Sequence, residues 1–269
     1  MIIRPLGRGG PPVPVIGQGT WRMGEDPRAR DREVAALRLG LDLGLTHIDT
    51  AEMYGDGRAE EIVGEAIADR RADVVVVTKI MPSGASYDGT LRAFEASLKR
   101  LRTGYVDVYL LHWWGNQHPI SETMRAMETL VERGLLRGIG VSNFDVPQLK
   151  AAQAALKRER LLCNQVLYHL ADRGVEKAVL PLCEREGIAV VGYTPLARGG
   201  FLRGVVAEIA RKHGRTPRQV ALNFLVRRSS LFTIPKAAQP EHVRENAAAL
   251  DFTLSQTEVT AIDRAFKRR

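Results

Sequence analysis

The chain has 269 residues, 45% hydrophobic and 26% charged, with 39 Lys and Arg against 31 Asp and Glu for a formal charge of +8. These proportions exclude a disordered chain, a coiled-coil rod and a collagenous protein, and the length suits one domain spanning 1–269, since α/β barrels run to roughly 250 residues as single units. No stretch approaches the roughly 18 consecutive apolar residues of a membrane span, and the start, MIIRPLGRGG, lacks the apolar core of a secretory signal. The expectation is a cytoplasmic protein with no membrane partner, taken as a monomer.

Cys163 and Cys183 stand apart without metal-ligand spacing, so they read as reduced structural thiols and no metal site is expected. The basic residues are spread along the chain rather than gathered on one face, which argues against nucleic acid and for steering of an anionic small molecule.

Taken in chain order, the Gly and Pro cluster at 7–14 predicts a β-hairpin turn ahead of the main fold, plugging its bottom. Apolar or β-branched runs then alternate with amphipathic segments. Strands are predicted at 15–19, 46–49, 74–79, 106–112, 138–141, 163–166, 189–194 and 232–235. Helices are predicted between them at 32–44, 60–68, 90–101, 120–133, 146–157, 175–186, 205–213 and 216–228, with a further helix at 255–266. Continuous apolar strands imply a parallel sheet buried on both faces, and eight of them select a closed (β/α)8 TIM barrel. An open doubly wound sheet would carry a glycine fingerprint in its first turn. None is present: GRGGPP has Pro12, and GQGTWR has Arg22, where the third glycine belongs.

The strands finish in uncommon polar residues. The second ends HIDTAEMYG, giving Asp49 and Tyr54; the third ends in Lys79; the fourth ends in His112; later ones end in or carry Ser142, Asn143, Gln165, Tyr193 and Lys236. In a closed barrel these ends converge on one face, where such folds carry their active sites. Acid, phenol, amine and imidazole also fit together chemically. A phenol with a reference pKa near 10 is a sluggish proton donor unless a cation stabilises its phenolate. A lysine at about 4 Å and an effective dielectric near 20 offers roughly 4 kcal/mol, about three pKa units before desolvation opposes it. Lys79 is therefore expected to lower the Tyr54 pKa, with Asp49 keeping the ammonium charged and His112 orienting a substrate carbonyl. Trp21 and Trp113 would exclude water.

No side chain donates hydride, so this pocket calls for a cofactor. Tyr193 could stack on a nicotinamide, Asn143 and Gln165 could meet its carboxamide, and the segment 234–246, with Lys236 and a helix restarting at Pro240, reads as an anion site.

The phrases GQGTW (17–21), HIDTAEMYG (47–55), VVTK (76–79), VDVYLLHW (106–113), GIGVSNF (138–144), NQVLYH (164–169), GYTPLARG (192–199) and IPKAA (234–238) resemble the aldo-keto reductase superfamily from about residue 12 to about residue 265. GQGTWRMGED, IDTAEMYGDG and CNQVLYHLADRG are most similar to its bacterial methylglyoxal (2-oxoaldehyde) reductase-like members. The resemblance implies a barrel binding extended NADP(H), with Asp49, Tyr54, Lys79 and His112 as catalytic tetrad and Trp21, Tyr54, His112 and Trp113 around the substrate. It further implies that Gly19, Thr20, Trp21, Asp49 and Thr194 line the cofactor and that Ser142, Asn143 and Gln165 surround the carboxamide. Tyr193 would stack on the nicotinamide, and Pro195 and Leu196 would lie near the pyrophosphate. Lys236, Ala237, His242, Glu245 and Asn246 would meet the adenosine phosphate and adenine. Ala237 and His242 stand where many NADPH-preferring members carry Ser and Arg, so NADPH is expected with NADH also used. The chain stops soon after the 255–266 helix, without the long loop that closes bulky substrate pockets in some members, and small carbonyls are the expected substrates. An NAD-dependent alcohol or sugar dehydrogenase, or a nucleotide-sensing protein, are the alternatives.

Overall fold

The computed structural model describes residues 1–266. The chain opens with β1 (Ile3–Pro5) and β2 (Pro12–Pro14), an antiparallel pair. It continues through β3 (Gln18–Gly19), α1 (Arg30–Asp42), β4 (His47–Asp49), α2 (Arg58–Ala66), β5 (Val75–Ile80), α3 (Tyr87–Leu101), β6 (Val108–Leu111) and α4 (Ile120–Glu132). Then follow β7 (Ile139–Ser142), α5 (Val146–Ala155), β8 (Leu161–Leu167), α6 (Val179–Glu186), β9 (Ala189–Tyr193), α7 (Val205–His213), α8 (Pro217–Leu225), β10 (Leu231–Thr233), α9 (Pro240–Ala247) and α10 (Gln256–Ala265).

Strands β3 to β10 pair in sequence order, all in parallel. Parallel bridges Ile16↔Thr233 and Gly19↔Lys236 join the first of them to the segment around the last, closing the ring as a (β/α)8 barrel. Gly19 is required at this seam, because a Cβ there would stand 2.5 Å from the Ile234 carbonyl oxygen. The strand expected over 15–19 is accordingly short: the Thr233 amide bonds the Val15 carbonyl and the Gly17 amide bonds the Thr233 carbonyl, so its first half belongs to the closure.

Period-two alternation divides the core. Val75, Val77, Val108, Leu110, Ala189 and Val191 pack in an inner cluster, while Val76, Ile80, Tyr109, Leu111 and Val190 pack against the helices. Continuing each inward set toward the strand's C-terminal end arrives at Lys79, His112 and Tyr193, the polar residues singled out by sequence. Each inner column is apolar for most of its length and polar at its last position.

The hairpin closes the opposite end. Leu6, Val13 and Val15 are fully buried in the inner cluster beside Leu45, Val108 and Leu162. Gly7 adopts φ +79° so that its backbone can lie against Leu162, where a Cβ would clash at 2.1 Å.

Among the helix boundaries that differ from expectation, two have a specific structural cause. The helix expected over 175–186 is a 3-10 turn at Gly174–Lys177 followed by α6, broken at Ala178 with φ −140°. The Tyr168 hydroxyl at 2.5 Å and the Arg227 guanidinium at 2.9 Å both hold the Glu176 carboxylate inside that turn. The first helix ends at Asp42 rather than 44, because Gly44 takes φ +86°.

Candidate active site

Asp49 ends β4, and its register partner on β5 is Val77, one inward position below Lys79. This places the two side chains side by side inside the barrel: the Lys79 ammonium donates to Asp49 Oδ1 at 2.6 Å and to the Thr50 carbonyl at 2.7 Å. Lys79 is 0% exposed and Asp49 1%, so the pair is desolvated. Lys79 also reaches the Tyr54 hydroxyl at 3.4 Å. On the other side, the Gln165 amide nitrogen donates to Asp49 Oδ2 at 2.6 Å from β8.

Tyr54 is aimed by its loop. Gly55, Asp56 and Gly57 follow it with φ of +56°, +54° and +88°, three successive left-handed residues that reverse the chain into α2. Two are glycines, which adopt this geometry freely. The third is Asp, one of the few side chains that tolerate it. The turn is wedged between its neighbours: a Cβ on Gly55 would meet the Met23 carbonyl at 2.8 Å, and one on Gly57 the Arg100 side chain at 2.5 Å. Edge-to-face contacts then join Trp21 to Tyr54 at 5.0 Å, Tyr54 to His112 at 5.8 Å and His112 to Trp113 at 4.8 Å between ring centroids.

Burial governs the protonation states. Burial pulls the Lys79 pKa down, but Asp49 and the Tyr54 hydroxyl together carry it above the usual lysine value, so the ammonium is secure. His112 is pushed down to about 3 by burial and by the Lys79 charge, and is a neutral imidazole. Tyr54 corrects the sequence expectation. Its pKa is raised, not lowered: burial raises it, the Lys79 charge opposes this, and the Asp49 carboxylate raises it again. Desolvation of the hydroxyl, the largest cause, together with the Asp49 charge outweighs the lysine. Tyr54 is thus a protonated phenol whose anion has a cation within reach.

Asp49, Tyr54 and His112 open onto a cavity of about 680 Å³, while the fully buried Lys79 stands behind its wall. Of the expected cofactor and substrate residues, Gly19, Thr20, Trp21, Asp49, Tyr54, His112, Trp113, Asn143, Gln165, Tyr193, Thr194, Pro195, Leu196 and Lys236 line it. Ser142 lies behind the wall, fully buried, donating to the Gln165 backbone carbonyl and accepting from the Asn143 side-chain amide nitrogen at 3.1 Å. Ala237, His242, Glu245 and Asn246 lie beyond the cavity, the last three on α9. There the Glu245 carboxylate is held by the Thr216 hydroxyl at 2.5 Å and by Arg218 at 3.3 Å, while His242 is exposed and Asn246 buried. Both amides expected at a carboxamide are engaged: Gln165 on Asp49, and Asn143 on the His112 carbonyl and the Tyr193 hydroxyl. Asn143, Thr194 and Ala197 carry φ of +61°, +54° and +39°, so the backbone is strained where it forms the cavity wall.

Sequence reasoning missed four lining residues, Met53, Ala197, Ile234 and Pro235, and the Thr50 carbonyl on Lys79. All four lie in the segments HIDTAEMYG, GYTPLARG and IPKAA that carry the family resemblance, and Ile234 and Pro235 could have been read from their place before Lys236. A backbone carbonyl carries no sequence signal. Among the described residues no group of three or more His, Cys, Asp or Glu could hold a metal, and no helix is long and apolar enough to cross a membrane.

A closed barrel with a buried Lys–Asp pair touching a tyrosine hydroxyl, beside a neutral histidine, defines a site for proton transfer to a substrate oxygen, the arrangement of a barrel-fold oxidoreductase once a hydride donor is bound. The profile of the Aldo/keto reductase family matches residues 15–267, and the chain belongs to that family. It is 45% identical over 260 residues to methylglyoxal reductase YeaE of Escherichia coli, covering 94% of this chain and 91% of that protein. Glyoxal reductase of Bacillus subtilis is 34% identical over 93% of this chain and 88% of its own. A Klebsiella pneumoniae aldo-keto reductase crystallised with NADPH is 45% identical and superposes with a TM-score of 0.94 over 100% of this chain and 97% of that one.

Proposed function

We propose that this protein reduces small aldehydes and 2-oxoaldehydes, methylglyoxal among them, with NADPH. The observation that carries the reading is the convergence of Asp49, Tyr54 and His112 on one cavity that continues past Tyr193 to Lys236, with Lys79 buried behind them in contact with Asp49 and the Tyr54 hydroxyl. Naming the substrates after those of its relatives rests on 45% and 34% identity to a methylglyoxal and a glyoxal reductase.

The residues present fit a nicotinamide nucleotide. Gln165, with its nitrogen on Asp49, has its carbonyl left as an acceptor for a carboxamide. The half-buried Tyr193 ring, fixed through its hydroxyl to Asn143, offers a flat face at the cavity edge. Lys236 supplies a cation for a phosphate, with His242 beyond it on α9. When bound, NADPH supplies the hydride for the carbonyl carbon.

The chain's own groups do the rest. Trp21, Met53 and Trp113 line the reacting end and exclude water. Neutral His112 donates a hydrogen bond to the carbonyl oxygen without surrendering its proton. Tyr54 delivers the proton to that oxygen, and its phenolate is left 3.4 Å from the Lys79 ammonium. Asp49 keeps that ammonium charged and in place.

The test is a fluorescence titration with NADPH, followed by cofactor oxidation with methylglyoxal, phenylglyoxal, simple aldehydes and keto-sugars. Turnover is expected for the first three classes. Tyr54→Phe is expected to bind NADPH as the wild type does and to lose carbonyl reduction; reduction at the wild-type rate would sink the reading.

A further inference from the structure

Gln165 faces two ways. It is 2% exposed, belongs to β8, and crosses the barrel to a carboxylate 116 positions away in the chain. The orientation of its amide is dictated by chemistry: an ionised carboxylate only accepts, so the nitrogen must face Asp49. The carbonyl oxygen is then left to the cavity that Gln165 also lines. Among the described residues, Oδ2 of Asp49 takes its hydrogen bond from Gln165 and Oδ1 takes its bond from Lys79.

We infer that Gln165 is a positioning residue that joins the cofactor cavity to the catalytic ion pair, holding Asp49 ionised and oriented on Lys79 through its amide nitrogen while its oxygen is available to a bound nicotinamide. The inference rests on the reductase reading of the site and assigns this residue a second task within it. Burying a carboxylate is costly, and a hydrogen bond to its charged form offsets that cost. Burial pushes the Asp49 carboxyl above its usual value, and the Lys79 charge with the hydrogen bonds from Lys79 and Gln165 offsets only part of that rise. Gln165 therefore supports the anion from the side that Lys79 does not occupy. Its amide dipole also limits how completely Asp49 neutralises the ammonium, leaving Lys79 positive toward the Tyr54 hydroxyl. A ligand that bonds the carbonyl oxygen polarises the amide and strengthens its donor end. Cofactor occupancy and the state of the ion pair are then linked through one side chain.

The other ionisable groups around the pair are accounted for. Tyr54 reaches it from the loop after β4, and His112 stands at the end of β6. His47 lies on the same strand as Asp49, and Cys163 on the same strand as Gln165. His47 and His112 are held neutral, at about 4 and about 3, and the Cys163 thiol is pushed up to about 12. Near neutral pH these three carry no charge that would replace the amide.

The experiment is a cycle of Gln165→Leu and Asp49→Asn, read as the NADPH dissociation constant across pH by fluorescence and as kcat at saturating NADPH. Gln165→Leu is expected to weaken NADPH binding in both backgrounds. Only with Asp49 present should it also move the acid-side inflection of binding and of kcat upward, by about one pH unit. Gln165→Glu, which sets a second carboxylate against Asp49, should move it further in the same direction. An inflection unmoved in both Gln165 variants, or moved equally when Asp49 is replaced, overturns the inference and leaves Gln165 a cofactor contact alone. Failure of the wild type to bind NADPH would instead remove the reductase reading.

Discussion

Replacing Lys79 by Met removes the cation that faces Tyr54 while keeping much of the side chain's volume. At 3.4 Å from the Tyr54 hydroxyl, the ammonium stabilises a full phenolate by about 5 kcal/mol at an effective dielectric near 20. The carboxylate that balances it lies 2.6 Å from the ammonium and therefore no more than about 6 Å from the hydroxyl, where it opposes the phenolate by about 3 kcal/mol or more. Two outcomes bracket the variant. If Asp49 takes up a proton once it is alone, both terms vanish and the net loss is about 2 kcal/mol, roughly 30-fold in kcat. If Asp49 stays ionised, the whole cation term is lost and kcat falls by roughly 4,000-fold. The assay is single-turnover reduction of methylglyoxal at saturating NADPH, with the NADPH dissociation constant measured separately. Adding Asp49→Asn separates the two limits: the double variant matches Lys79→Met if the lone carboxyl is protonated and exceeds it in rate if it is ionised. A kcat within threefold of wild type, or a loss confined to NADPH affinity, would refute the electrostatic account of Tyr54.

Other consequences are read more simply. His112 and His47 have folded pKa values pulled down to about 3 and about 4, whereas the unfolded chain binds protons near 6.5. The unfolded state then holds more protons below about pH 6.5, so their contribution to stability is complete above that pH and declines on acidification. His112→Asn should reduce the loss of stability between about pH 7 and about pH 5 in urea melts, and an unchanged loss would count against it. Arg100→Met strands the fully buried Glu60 carboxylate, leaving it the Thr78 hydroxyl at 2.5 Å. The expected cost is about 3–5 kcal/mol, seen as a fall in Tm of roughly 10 °C, and a Tm within about 2 °C of wild type would contradict it. His242→Arg places a fixed cation near Lys236 and should raise NADPH affinity relative to NADH by about tenfold, an outcome excluded if the ratio of dissociation constants stays the same.

Much of the site was legible because its residues sit at strand ends. Lys79 and His112 come near the ends of largely apolar strands and Asp49 ends the short buried strand β4, and a closed parallel barrel sends all such ends to one face. Tyr54 was legible for a different reason: it lies a short loop beyond Asp49, so any fold that places one brings the other near. The contacts made by Gln165 and Asn143 were not legible. An amide can donate or accept, and nothing local distinguishes a ligand's carboxamide from Asp49 or from the Tyr193 hydroxyl as its partner.

The order of strands and helices, the polar strand ends and the presence of a plug are properties of the chain read locally. They follow from periodicity and from where glycine and proline interrupt it. The tertiary structure decided what locality does not contain. Closure turned half of the first expected strand into a seam with the segment around β10. The Glu176 contacts cut a helix in two. Above all, burial of Tyr54, with Asp49 set beside its lysine, reversed the expected direction of its pKa, because desolvation and Coulomb energies depend on how little water remains and how near Asp49 stands, and both are set only when residues from β4, β5 and β8 meet.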